Sequence, residues 1–546
     1  MENPLSFFSC IFFWRRLLIT FLIVVRTFLY TTPTWANHSE KYQKLFEEIK
    51  SLDFEVYSLN QRKTETIENK YENLYQISEK VKKLATNFHQ EVIEGLKKNK
   101  PLHGEQLTLL HKLVSVYMAL DYNLLVIARK ASKQTYKILP LLDRVLNLKV
   151  IYLPYYKEAS FRRLVNAEDL SYRVERNQLR KTIRALIKGK EQRRLKAKYY
   201  SFVYNVNQRR IHPSEPKVQS ILEHPIKETL LNDRYWKNLR KKLFFGRLSD
   251  FGARLGTEVV HHSSGVFGNT MGSIRWRRGY LDKNKKVEQE IFHNLRPLDV
   301  ITEKVGYTPT DFFIPGHFGH NAIWLGTKEQ LIELGLWEHP IFVPYQKKIE
   351  EGLSLIETDR SGTHLKSLTA FMNVDEFGIL RFSQNIIDIE NDKKKVLEVY
   401  KTAFAQLGKT YDFNFDVETT DQLVCSELLY QSFGFINWPT EAYVGRTTIT
   451  PDNVVSLALY DNPPMSLILY LKANKKRQVV KKGIDSLAKD LGFRKKGNLY
   501  KKPVKNCERV WLKRPGTRGK EKISRLRCET VLTDLVYYPP APIDDI

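Results

Sequence analysis

The sequence predicts an α+β fold in which a sheet-containing domain follows a long, mostly helical region. Between residues 38 and 245, apolar side chains recur at three- and four-residue spacing with charges between them, and Gly and Pro are sparse inside the runs. Near residue 255 the texture changes: Gly becomes frequent, and short runs rich in Val, Ile, Leu, Phe and Trp appear between turn residues. These strand-like runs are mixed with only a few helical patterns, the arrangement of an α+β domain.

The helical region contains three strongly amphipathic stretches, beginning at Lys41, Glu72 and Gly104, and reads as a bundle of long helices without a fixed-period repeat. Residues 178–211 are rich in Lys and Arg interleaved with Tyr and Phe. Such a segment suits nucleic acid or a membrane surface, but a solvated helix face is the commoner meaning of a charge run. In the second region, residues 299–305, 321–326, 339–345, 354–359 and 465–473 read as strands. Helices are expected over roughly 393–407 and 423–433, the latter with Thr420 or Asp421 as cap and Gly434 just past its end. Residues 473–546 form a basic extension with room for a small helix at 483–493, two strands and a Pro-rich acidic tail.

The formal net charge of +27 favours anionic partners, without choosing among nucleic acid, acidic lipid and a cell-wall polymer. The N-terminus narrows that choice. Arg15 and Arg16 precede the apolar run Leu17–Val25, and Thr34 and Ala36 offer small residues at a cleavage site. Residues 1–36 therefore read as a signal peptide or, because residues 5–31 are so apolar, as an uncleaved N-terminal membrane anchor. Both readings export the chain, to a periplasmic or membrane-anchored location, and make nucleic acid an improbable partner. The expected organisation is a leader at 1–36, a helical domain with its basic segment at 38–245, the sheet domain at 255–472 and the extension at 473–546.

Of the four cysteines, none lies in a C-x-x-C pair, so a zinc ribbon or a thioredoxin-type site is not indicated. Cys507 and Cys528 are open to two readings, a disulfide or two unpaired thiols; in both, Cys425 stays single. Cys425 falls in the first turn of an expected helix, where free N–H groups and the helix dipole stabilise a thiolate and lower its pKa. The thiolate is the attacking species in covalent catalysis, and N–H groups of the same turn suit an oxyanion. His320 opens an apolar strand, where rigid backbone can aim an imidazole, and Glu357 ends another, where a carboxylate can fix the imidazole tautomer. Individually, each has a plain structural reading: a buried small residue, a structural histidine and a surface glutamate.

The order of the blocks adds weight. LRPLDVITEK, FIPGHFGHNAIWLG, SLIETDRSG, YDFNFDVETTDQLVCSELLYQSFG and WPTEAYVGRTTITPDNV together resemble the permuted papain-like amidases of the YaeF/YiiX type. These are relatives of the NlpC-type cell-wall peptidases and of lecithin:retinol acyltransferase. The resemblance spans roughly 290–470 and implies a circularly permuted papain-like cysteine hydrolase domain, with the base ahead of the nucleophile in the chain. Position by position, it implies Cys425 as nucleophile, His320 as base with His317 as its rival, and Glu357 as the polar third residue. Tyr411, which opens the YDFNF block, is expected by the same resemblance to line the site or bind substrate; a core tyrosine is the equal alternative. One departure is visible: Pro297-Leu298-Asp299 stands where the family has Pro-Gly-Asp, which puts the shape of that turn in question.

The expected activity is amidase or peptidase chemistry through an acyl-enzyme, plausibly on cell-wall peptides, with no metal or organic cofactor implied. Two other readings stand beside it: a thiol acyltransferase or lipid hydrolase acting on an acyl substrate, and a membrane-tethered binding protein with an inert sheet domain. The sequence fixes no oligomeric state.

Overall fold

The computed structural model describes residues 45–538, apart from 98–100, 244–276, 307–315, 413–416, 418–421, 514–521 and a few shorter stretches. The leader, most of the Gly-rich stretch after 264 and the end of the Pro-rich tail lie outside the described residues, as do Thr420 and Asp421.

The amphipathic patterns become long helices. In α1 (Ile67–Lys97) the buried apolar positions are Tyr71, Leu74, Ile77, Val81, Ala85, Phe88, Val92 and Leu96, one stripe at three- and four-residue spacing. Helix α2 (Gly104–Lys130) is long and apolar enough to cross a membrane, but most of its apolar residues are buried in the bundle, as in a core helix. Helix α3 (Gln134–Asn147) binds it through a bidentate ion pair, with Arg144 Nη2 2.7 Å and Nε 2.9 Å from the Asp121 carboxylate. The basic segment forms α4 (Gln178–Ile187) and α5 (Gly189–Asn207). Leu195, Tyr199, Phe202 and Val206 of α5 face the core, while Lys190, Arg193, Arg194, Lys198, Tyr200 and Tyr204 are exposed.

The second region is built on a seven-stranded antiparallel sheet. Its strands are β1 (Val300–Lys304), β2 (His320–Trp324), β3 (Leu355–Asp359), β4 (Gly362–Lys366), β5 (Glu376–Phe382), β8 (Met465–Ala473) and β9 (Val479–Lys481), in the order β9-β8-β5-β1-β2-β3-β4. Two more short strands, β6 (Thr410–Tyr411) and β7 (Gln422–Leu423), pair in parallel beside it. Strands β1 and β3 are buried along almost their whole length because both sheet faces are covered. Val300, Ile323 and Ile356 join one core with α6 (Lys393–Ala405) and α7 (Cys425–Ser432), while Ile301, Ala322 and Leu355 join a second core with Phe371 and Ile291. The sheet extends to 481, past the boundary expected at 472.

The first core is continuous with that of the helical region. Gly104 of α2 and Gly434, just after α7, pack so closely that a Cβ on Gly104 would stand 2.1 Å from the Tyr430 carbonyl. The Tyr430 hydroxyl donates to the Leu102 carbonyl at 2.7 Å. A buried charged cluster adds a second tie: Asp169 lies 3.1 Å from His111 of α2 and 3.0 Å from Lys409, which directly precedes β6.

Several sequence expectations need correction. Residues 339–345 form successive turns, not a strand: Pro340 and Pro344 lack the N–H a ladder needs, and Phe342 and Tyr345 donate backward to His339 and Phe342. The N-cap of α7 is Val424, whose N–H donates to Glu427 Oε2 at 2.8 Å. Phe433 is the C-cap, so Gly434 serves the close approach of α2 and does not terminate the helix. Leu298 takes the left-handed conformation, φ 66°, and so keeps the turn a glycine would make. The extension folds as a helix (Ile484–Asp490) and three strands, Arg494–Lys496, Leu499–Lys513 and Lys522–Thr533, where two strands were expected. Cys507 and Cys528 face each other across the last two strands and form a disulfide.

Candidate active site

Cys425 is the first residue of α7, buried at its N-terminus, and is the free cysteine among the described residues. The parallel pairing of β6 and β7 sets Tyr411 opposite Leu423, two residues ahead of Cys425, and the Asp412 N–H donates to the Leu423 carbonyl at 3.0 Å. His320 starts β2. Pairing of β2 with β3 runs from Ala322 to Trp324, leaving Asn321 just outside it, and the Asn321 N–H donates to the Cys425 sulfur.

The three residues singled out by the sequence come together here. His320 and Cys425 are near enough for each to shift the other's proton affinity. His320 Nε2 lies 2.8 Å from Glu357 Oε2, which leaves Nδ1 as the nitrogen for the sulfur. The imidazole sits beside the Phe371 ring at 5.8 Å. The other oxygen of Glu357 takes Lys366 Nζ at 2.6 Å and lies 3.2 Å from His364 Nε2.

Charge sets the protonation states. Burial opposes the imidazolium, but the Cys425 sulfur and the Glu357 carboxylate outweigh it and hold His320 well above its ordinary pKa. Burial would also raise the Cys425 thiol; the charge and hydrogen bond of His320, the Asn321 N–H and the Ser426 hydroxyl pull it below its ordinary value. The pair is thereby driven toward thiolate and imidazolium. Glu357, despite its burial, is held well below the carboxylate range by His320, His364 and Lys366. Burial pushes Tyr411 up, and the neighbouring Cys425, Glu427 and Asp412 push it further, so its phenol stays protonated and able to donate.

His317, the rival base, is engaged elsewhere. Its Nε2 lies 2.8 Å from Glu376, its Nδ1 3.0 Å from Lys304 Nζ, and its backbone N–H donates to Asp452. Among the described residues, two groups of His and carboxylate side chains are close enough to hold a cation: His317, Glu376 and Asp490, and Glu357, Asp359 and His364. A lysine already occupies each, Lys472 on Glu376 and Asp490 at 3.3 and 2.9 Å, and Lys366 on Glu357. These donors therefore suit ion-pair networks better than a metal.

The sequence reading missed Lys366 and His364 because it ended the strand at 359 and left GTHLK unassigned. Across the turn 359–362, β3 and β4 set Glu357 directly opposite His364. The alternation in that segment was the available signal.

One family model matches part of the chain. Residues 294–480 match the model of the permuted papain-like amidase enzymes, YaeF/YiiX, C92 family. That segment is a permuted papain-like domain, and its family is one of cysteine hydrolases; the helical region and most of the C-terminal extension lie outside the match. No curated protein and no solved structure matches the chain.

Proposed function

We propose that the protein is a cysteine amidase or peptidase in which Cys425 attacks a carbonyl carbon and forms an acyl-enzyme. The hydrogen bond of His320 to Glu357 and its electrostatic interaction with Cys425 at the start of α7, inside the segment that matches the family, carry this reading. The thiolate adds to the carbonyl, and the His320 imidazolium then protonates the departing amine. Water, deprotonated by the now neutral His320, releases the acyl group. Glu357 orients the imidazole and favours its charged form. The Cys425 N–H at the start of α7 supports the tetrahedral oxyanion, and the Tyr411 phenol is a further donor at the same edge.

Peptides of an anionic cell wall are the proposed substrate, met outside the cytoplasm. The apolar leader, the disulfide between Cys507 and Cys528 and the exposed basic face of α5 support that location and a nearby anionic wall or membrane. Iodoacetamide tests the thiol: Cys425 is expected to alkylate rapidly near neutral pH, with loss of all hydrolysis. Slow labelling with hydrolysis intact would sink the proposal. Incubating wild type and Cys425→Ala with muropeptides and with acyl lipids decides the substrate; turnover of lipids alone would replace the amidase reading with the lipid one.

A further inference from the structure

The hairpin between β3 and β4 turns through Asp359-Arg360-Ser361-Gly362, beginning two residues past the Glu357 that holds His320. Its position is fixed from below. The Thr363 N–H donates to the Lys409 carbonyl at 2.8 Å, and the Gly408 N–H donates back to the Thr363 carbonyl at 2.9 Å. Gly362, with φ 100°, lets the hairpin lie against β6; a Cβ there would stand 2.4 Å from the Lys409 oxygen. The tip is thus pinned to the strand that carries Tyr411, and Tyr411 borders Cys425. Arg360 is close enough for its charge to act on the Tyr411 hydroxyl.

The carboxylates around Arg360 are occupied by other groups. Asp359 Oδ1 accepts from the Ser361 N–H at 2.8 Å and the Ser361 hydroxyl at 2.5 Å. Glu357 is shared by His320, His364 and Lys366. Among the described residues no carboxylate forms an ion pair with the Arg360 guanidinium, although that side chain is half-buried. A guanidinium is charged at every working pH, and its planar fork matches a carboxylate. Held half out of water with no counter-ion among the described residues, on a chain of net charge +27, it is a prepared site for an anion.

We propose that Arg360 is a substrate-binding residue, and that the acyl substrate of Cys425 carries a carboxylate which this guanidinium holds beside the scissile carbonyl. The inference rests on the thiol reading above and names the substrate class: acidic peptides, not neutral ones. It also distinguishes Arg360 from a mere promoter of the thiolate.

Paired alkylating reagents test it. Cys425 displaces iodide from both iodoacetate and iodoacetamide, forming the same C–S bond, but only iodoacetate carries a carboxylate. Arg360→Gln is expected to slow iodoacetate roughly five- to tenfold while leaving iodoacetamide within about twofold, the effect of losing one charge-assisted contact. Arg360→Lys is expected to recover part of the iodoacetate rate, because it keeps the charge without the fork. An equal fall with both reagents in Arg360→Gln means that the residue acts through the thiolate, and it overturns the proposal. Unchanged rates with both reagents overturn it too, while leaving Cys425 as nucleophile. A wild-type Cys425 inert to both reagents overturns the thiol reading itself and this inference with it.

Discussion

Taking a carboxylate out of water costs several kcal/mol unless cations stand against it. Glu357 is 1% exposed, and three basic groups, His320, His364 and Lys366, share its two oxygens. It is therefore the residue that feeds negative charge to the imidazole. A thiol whose pKa is depressed is ionised above that value and protonated below it. Alkylation of wild-type Cys425 should accordingly be full at neutral pH and fall as the pH drops through the depressed value, below the ordinary thiol pKa of about 8.5. Glu357→Gln removes the charge that favours the imidazolium, so the His320 pKa falls and the Cys425 pKa rises. The acid limb of the pH–rate profile for iodoacetamide is expected to move up by about one unit or more. An unmoved limb would assign Glu357 a structural role only. Cys425 and His320 were legible in position because each begins an element, where sequence alone shows the change of texture; Glu357, expected at a strand end, instead lies in the middle of β3, paired on both sides and buried. His364 and Lys366 were hidden because their role depends on cross-strand register, a longer-range property than local pattern.

At the scale of elements, local propensity and tertiary demand disagree in identifiable places. Residues 339–345 have the composition of a strand, but two prolines deny the ladder its donors and the segment folds as turns. Leu298 is the opposite case, a residue poorly suited to its backbone that is kept for its side chain. A left-handed non-glycine residue costs roughly 1–2 kcal/mol, yet Leu298 is 2% exposed in the core shared with α6 and α7. The turn it makes also aims Asp299, whose carboxylate takes the Arg296 N–H at 2.8 Å and Arg381 at 2.7–2.8 Å. Truncating a buried Leu costs about 2–5 kcal/mol, more than relaxing the backbone returns. Leu298→Gly is therefore expected to destabilise this protein in chemical denaturation. A gain in stability would show that the backbone strain dominates.

The whole molecule departs most from what composition suggests. The change of texture near 255 reads as a boundary between two domains, but a boundary in pattern does not decide whether cores are separate. Here one apolar core runs from α1 and α2 through α7 to the sheet, and the nucleophile helix lies between bundle and strands. The charged tie of Asp169 to His111 and Lys409 is nine-tenths buried or more, and it spans the same joint. Burial opposes the ionised Asp169 carboxylate, but its two basic partners hold its pKa below the ordinary value. Its stabilising effect is then full above about pH 3.9, the unfolded value, and fades as pH falls through the depressed folded one. Removing one member leaves the others as uncompensated buried charge, which typically costs about 3–5 kcal/mol. Asp169→Asn is expected to lose stability on that scale and, because Lys409 leads into β6 and Tyr411, to slow alkylation of Cys425 as well. Pairing Asp169→Leu with Lys409→Met removes both charges and is expected to restore much of the stability. Urea unfolding followed by helical signal, alongside the alkylation rate, reads both effects. If Asp169→Asn melts the helical signal while Cys425 keeps its wild-type rate, the two regions are separable, and the bundle is not part of what shapes the site.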